Sequence, residues 1–167
     1  MVTGGQRSGK SKFAESLALD LSDNPVYLAT ARIYDSEMEQ RVEIHKKRRG
    51  ENWSCIEEPV DIGKHSLSVK KKTVLLDCLT MLATNTFFEQ GEDIDKSYQK
   101  VENELKKLLS GGVENIIIVT NEIGLGGINS NKMQRKFCDL QGKLNQMLAS
   151  LADEVYLIVS GISVRIK

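Results

Sequence analysis

The sequence predicts an α/β fold with a mainly parallel sheet and helices on both faces. Three observations carry this. Strand-length apolar runs alternate with longer periodic segments along the 167 residues. One run, Ile116-Ile117-Ile118-Val119, is continuously apolar, as a parallel strand covered on both sides requires. Near the N-terminus, Gly4-Gly5-Gln6-Arg7-Ser8-Gly9-Lys10-Ser11 reads G-x-x-x-x-G-K-S. It lies between a β-prone Met1-Val2-Thr3 and a helical pattern, the order in which a phosphate-binding loop is built. The fold expected is therefore P-loop NTPase-like.

Taken in order, residues 12–21 form the first helix, with Phe13, Leu17 and Leu21 spaced on one face. Val26-Tyr27-Leu28-Ala29 is the second strand. Asp35 to Arg49 is an exposed, highly charged helix. Trp53 to Glu57 is a short strand stopped by Pro59. Thr73-Val74-Leu75-Leu76-Asp77 is a buried strand ending in a carboxylate. Two helices follow, near 78–90 and 95–110, the second stopped by Gly111-Gly112. After the Ile116–Val119 strand, residues 131–151 form the longest helix, with Met133, Phe137, Leu140, Leu144 and Leu148 in register. Val155 to Val159 is the last central strand, and Ser163 to Ile166 adds an edge. Neither a repeat nor a long linker divides the chain, so one domain over 1–167 is expected.

Composition narrows the classes. Lys and Arg number 23 and so do Asp and Glu, which leaves no global charge to attract nucleic acid or membrane. No apolar run approaches the ~20 residues of a bilayer span. The chain enters its fold at once, so no signal peptide is expected. Cys55, Cys78 and Cys138 form no C-x-x-C pair, and reduced thiols in the cytoplasm fit best.

The loop's residue types have separate jobs. Gly4, Gly5 and Gly9 let backbone N–H groups turn inward around a phosphate, with Gln6, Arg7 and Ser8 completing the ring. Lys10 can reach the β- and γ-phosphates, the Ser11 hydroxyl can hold Mg2+, and the helix beyond adds its positive end. Asp77 suits the opposite side of a Mg2+ shell, though an acid there can also cap the next helix; Glu122, after the Ile116–Thr120 run, is the competing acid. Two lookalikes fail. Leu109-Ser110-Gly111-Gly112 sits at a helix end, unlike the transporter-ATPase signature. Asn131-Lys132-Met133-Gln134 lacks the acid of the guanine-reading N-K-x-D.

Within the charged helix, Arg41, His45 and Arg49 share one face at four-residue spacing. An imidazole between guanidiniums could attack the α-phosphorus of a nucleotide; by spacing alone, a solvated helix face is the favoured reading. Glu57 could accept two hydrogen bonds from a guanine edge or stand exposed beside Glu58.

Together these segments resemble the bifunctional adenosylcobinamide kinase / adenosylcobinamide-phosphate guanylyltransferase family of cobalamin assembly. The resemblance runs through Thr3–Ser11 and Tyr27-Leu28-Ala29-Thr30-Ala31. It continues through Glu37-Met38, Arg41-Val42 and His45, Leu75–Thr80 with Asn85, Val119–Gly124, Asn145-Gln146 and Ser160–Lys167. The pairing of T-G-G-x-R-S-G-K-S with E-M-x-x-R-[IV]-x-x-H is its most specific part.

The resemblance implies phosphorylation of adenosylcobinamide by ATP or GTP, then transfer of GMP from GTP through a guanylyl-histidine at His45. It implies that Thr30, Ala31, Arg32, Lys46, Lys47, Arg48, Arg49, Glu57 and Asp77 line the nucleotide site with the loop, and that the protein assembles as a homotrimer. Two departures stand out. Gly127-Ile128-Asn129-Ser130 lacks a family Val-Pro, and Phe137-Cys138-Asp139 lacks an Arg. Both bear on corrinoid or subunit contacts more than on nucleotide binding. A single-activity P-loop kinase and a nucleotide-sensing module are the rival expectations.

Overall fold

The computed structural model describes residues 1–36, 40, 42, 43, 50 and 52–167. Seven strands form one sheet: β1 (Val2–Gly4), β2 (Val26–Ala29), β3 (Ser54–Glu57), β4 (Thr73–Asp77), β5 (Asn115–Val119), β6 (Tyr156–Val159) and β7 (Ile162–Arg165). Their spatial order is β3-β2-β4-β5-β1-β6-β7. Every pairing is parallel except β6 with β7, which are antiparallel. The α/β, P-loop NTPase-like architecture read from the sequence is the one observed.

Among the described residues four helices pack on the sheet: α1 (Lys10–Leu21), α2 (Leu79–Glu89), α3 (Ile94–Ser110) and α4 (Lys132–Leu151). The pleat sorts the strand residues between two cores. Val74, Leu76 and Ile118 face α2, α3 and α4, where Leu82, Leu105 and Leu144 meet them. Leu75, Ile117 and Val119 face the other way, onto Ala14 and Ala18 of α1. Both faces are covered, which is why β4 and β5 carry unbroken apolar runs.

The first helix departs from expectation. It begins at Lys10, two residues early, and its buried face carries Ala14 and Ala18. Phe13 and Leu17 pack at the margin and Leu21 is exposed. Small side chains let α1 lie close on the sheet centre, so the large residues at helical spacing mark the flank of the packed face, and only Leu21 falls off it. Of the helix expected over Asp35–Arg49, Asp35 is a bend and Ser36, Gln40, Val42 and Glu43 are helical; its other residues lie outside the described residues. Two 3₁₀ turns, Ile62–His65 and Gly124–Gly126, were not anticipated.

Side chains close the helix ends. Asp93 caps α3 by accepting from the Lys96 amide at 3.0 Å, and Asn131 caps α4 by accepting from Met133 and Gln134. Asn131 is thus a capping residue, consistent with discarding the guanine-reading motif. Among the described residues no helix is long and apolar enough to cross a membrane.

Truncating a core contact should register directly. Leu144→Ala, at a fully buried α4 position, should lower unfolding free energy by about 2–5 kcal/mol in urea titrations. Ile128→Ala, at an exposed loop position, should stay within about 0.5 kcal/mol of the parent.

Candidate active site

The C-terminal ends of the parallel strands open on a cleft of about 980 Å3. In open α/β sheets ligands bind outside these ends, where strand order reverses. Here β1 lies between β5 and β6, and the chain leaves β1 to reach β2 beyond β5 and β4. Gln6, Arg7, Ser8, Gly9, Lys10 and Ser11 line one side of the cleft. Ala31, Arg32, Glu57 and Asp77 line the others. Sequence positions spread over more than seventy residues therefore converge on one cleft. Gly4 and Gly5 are not among the lining residues, Gly4 being buried and Gly5 exposed, and Thr30 is buried. His45, Lys46, Lys47, Arg48 and Arg49 lie outside the described residues.

The loop's shape is set by crowding. Gly4 has φ +152, and a Cβ there would stand 2.4 Å from the Ile158 carbonyl oxygen and 2.9 Å from Ser8 Oγ. No side chain fits such a space. Gly9 takes φ +100 and forms the N-cap of α1, so Ser11 is not the capping group. The Gly161 amide donates to the Ser8 carbonyl at 2.8 Å, which ties the loop to the β6–β7 turn. Ser8 Oγ is buried and has no hydrogen-bond partner among the described residues.

Lys10 is buried, its ammonium donating to the Gly5 carbonyl at 2.5 Å. Burial lowers its pKa, while nearby Cys78 and Asp77 pull it back up. Cys78 is no nucleophile: burial, with the Asp77 charge, pushes its thiol up to about 12.

Asp77 ends β4, and its Oδ2 accepts the Tyr27 hydroxyl at 2.8 Å. The cap position of α2 is Cys78, so the capping alternative for Asp77 does not hold. Glu122 is engaged elsewhere, accepting from the Gly124 amide at 3.0 Å. Ser11 and Asp77 line the same cleft, and a hydroxyl with a carboxylate is a donor set that suits Mg2+, a hard cation that takes few protein ligands and keeps phosphate oxygens and water. Among the described residues no trio of His, Cys, Asp or Glu forms a metal cluster.

The connector leaving β2 is anchored on α2. Asn85 Nδ2 donates to the Thr30 carbonyl at 2.9 Å and to the Pro59 carbonyl at 3.0 Å. One amide thereby joins the exit of β2 to the exit of β3. Asn85 Oδ1 accepts from Tyr34, and Glu89, one turn on, pairs with Arg32. The Thr30 hydroxyl donates to the Cys78 carbonyl at 2.7 Å and accepts from the Cys78 amide at 2.9 Å. Thr30 thus braces the cleft floor. Beside this wall, Glu58 accepts from the Val60 and Asp61 amides and pairs with Lys64. Burial pushes its carboxyl up, but those hydrogen bonds outweigh burial and hold it at about 2. Residue type alone marked neither Glu58 nor Asn85 as a brace, because each role depends on backbone groups brought from distant elements.

Fold and loop together define a P-loop NTPase-like α/β protein with a cleft at the C-terminal ends of its parallel strands. Comparison with known proteins narrows this. The model of the cobinamide kinase / cobinamide phosphate guanyltransferase family matches residues 1–166, and the chain belongs to that family. It is 40% identical over its whole length to the bifunctional adenosylcobalamin biosynthesis protein CobU of Escherichia coli K12, covering 98% of that protein. It is 36% identical to the protein of the same name from Salmonella typhimurium, over its full length and 98% of the relative. It is 33% identical to the bifunctional adenosylcobalamin biosynthesis protein CobP of Pseudomonas aeruginosa, over its full length and 96% of the relative.

The Glu58 brace should show in acid. Its folded pKa lies below the unfolded value near 4.5, so its stabilisation is present above that pH and lost as pH falls toward about 2. Urea unfolding across this window should show a loss of about 3 kcal/mol that is missing in Glu58→Gln. Parallel curves for the two proteins would exclude the brace.

Proposed function

We propose that one domain, residues 1–167, first phosphorylates the hydroxyl of adenosylcobinamide with ATP or GTP. It then joins GMP from GTP to the resulting phosphate. The observation that carries this reading is the phosphate loop facing Asp77 across one cleft, in a chain of this family. The word "bifunctional" in the relatives' names favours two activities over a kinase alone.

In the first step Gly4 to Gly9 hold the triphosphate by backbone N–H groups, and Lys10 neutralises charge on its outer phosphates. Ser11 and Asp77 would hold Mg2+, which when bound supplies charge neutralisation between the phosphates. Tyr27 keeps the Asp77 carboxylate turned toward the cleft. The acceptor hydroxyl forms a bond to the γ-phosphorus, the bond to the β,γ-bridging oxygen breaks, and the hydroxyl proton leaves to water.

In the second step His45 is the nucleophile. A neutral imidazole nitrogen bonds to the α-phosphorus of GTP, the bond to the α,β-bridging oxygen breaks, and pyrophosphate departs. A phosphate oxygen of the corrinoid then displaces the imidazole and takes the GMP. Arg41 and Lys46 to Arg49 would supply cations for the charge that develops. Thr30, Ala31 and Arg32 would shape the base side of the site, and Glu57 would accept from the guanine edge. The Asn85 and Glu89 anchors support this reading, since the segment they hold leads directly toward the His45 stretch.

The protein is proposed to work in the cytoplasm as a homotrimer. Val159, Ile162, Val164 and Ile166 leave an apolar strip on the β7 edge, a surface that favours coverage by another subunit. Leu125 and Ile128, exposed in the loop that departs from the family pattern, are candidates for corrinoid or subunit contact.

Two outcomes test these readings. Protein incubated with α-labelled GTP should retain acid-labile, base-stable label after denaturation, while γ-labelled GTP should pass label to cobinamide. His45→Ala should abolish the first signal; label persisting on that variant removes His45 from the mechanism. Sedimentation equilibrium should give three times the 18.7 kDa protomer mass, and a protomer-sized species at micromolar concentration would reject the trimer.

A further inference from the structure

Thr120 and Asn121 follow β5 directly, in the gap between Asp77 and the phosphate loop. Val119 is in register with Asp77 on one side and with Val2 on the other, and the Glu122 amide donates to the Gly4 carbonyl at 3.0 Å. The backbone of Asn121 is held from two helices. Its N–H donates to Thr80 Oγ1 of α2 at 2.8 Å, and its carbonyl accepts from Asn145 Nδ2 of α4 at 3.0 Å. The clamp is itself braced. The Thr120 hydroxyl donates to Asn145 Oδ1 at 2.8 Å, and Gln141 Nε2 donates to Thr120 Oγ1 and to Asn145 Oδ1, each at 2.9 Å.

Thr80, Thr120, Gln141 and Asn145 are all buried. Burying four polar side chains carries a desolvation penalty that apolar packing would avoid, and Gln141 Oε1 stays unpartnered. Hydrogen bonds add direction, which apolar contacts lack. The residue so directed is Asn121, whose side chain lines the cleft and makes no hydrogen bond among the described residues.

We propose that Asn121 is a catalytic residue of phosphoryl transfer, its Nδ2–H donating to an oxygen of the γ-phosphoryl group. The loop and Lys10 approach that group from the β1 side; Asn121 approaches from β5. A neutral amide supplies a donor there without the repulsion that a carboxylate would bring. Charge on the equatorial oxygens is spread in the transition state, so a fixed donor aimed at them lowers the barrier. The acceptor oxygen bonds to phosphorus, the nucleoside diphosphate leaves, and Asn121 neither gains nor loses a proton.

This inference rests on the kinase reading above, and the experiment separates the two. Asn121→Ala should lower kcat for γ-phosphoryl transfer to cobinamide by about 100-fold, the usual effect of removing one such donor. GDP affinity should stay within twofold, the melting temperature should hold, and α-label should still attach to the protein. Asn121→Asp should lose at least as much kinase activity, since it presents a charge to the phosphoryl oxygens. A kinase rate within threefold of the parent overturns the inference, as does an equal loss of GDP binding or of folding, either of which makes Asn121 structural. If the parent protein itself transfers no γ-phosphate, the kinase reading fails and the inference falls with it.

Discussion

The structure depends on the contact at the end of β1. There the Ile158 carbonyl occupies the volume that any side chain on Gly4 would need. Because Gly4 has none, β1 can pair with β6 and the chain can turn at once into a ring of inward-facing amides. The turn delivers Lys10 to the first residue of α1 with its ammonium inside the loop. Position and chemistry are thus coupled: the register that pairs Gly4 with Ile158 also sets where a phosphate can rest.

Around that loop the protein uses polar side chains as struts. Tyr27 holds Asp77, Thr30 holds the backbone of Cys78, Asn85 gathers two strand exits, and Thr80 with Asn145 holds Asn121. Each links an element of the sheet to its neighbour or to a helix, at the edge where strands end and ladder hydrogen bonds stop. Backbone groups there must find partners, and burying side chains to satisfy them fixes the loops without closing the cleft. The two apolar cores beneath make this possible, since α2, α3 and α4 on one face and α1 on the other leave the sheet little freedom to shift.

Family membership adds a specific demand on this frame. A cleft that passes a γ-phosphoryl group in one reaction and a nucleotidyl group in another must present different phosphorus atoms to different partners. In the proposed mechanism, holding the triphosphate through backbone amides suits that demand, because amides bind phosphate without choosing which bond will break. In that mechanism the choice comes from side chains, Asp77 and Asn121 at the ends of β4 and β5 for one reaction and His45 for the other.

Much of this was legible in the sequence because its signals were local. The glycine spacing, the unbroken Ile116–Val119 run, the acid closing β4 and the long periodic α4 depend on neighbours a few residues away, and the structure has them in place. The spacing of Phe13, Leu17 and Leu21 gave the side of α1 that meets the core only in part, Leu21 being exposed, because the depth at which a helix sits is set by what it packs against. Small residues won that face, and only the sheet could show it. Strand order, the bridging role of Asn85 and the clamp on Asn121 were beyond local reading for the same reason. They are relations between groups more than twenty residues apart, created when the strands pair. By itself, then, the sequence determined the elements, the phosphate loop and the family resemblance. Tertiary packing decided which side chains meet over the cleft, because strand register, rather than residue type, sets distances between remote parts of a chain.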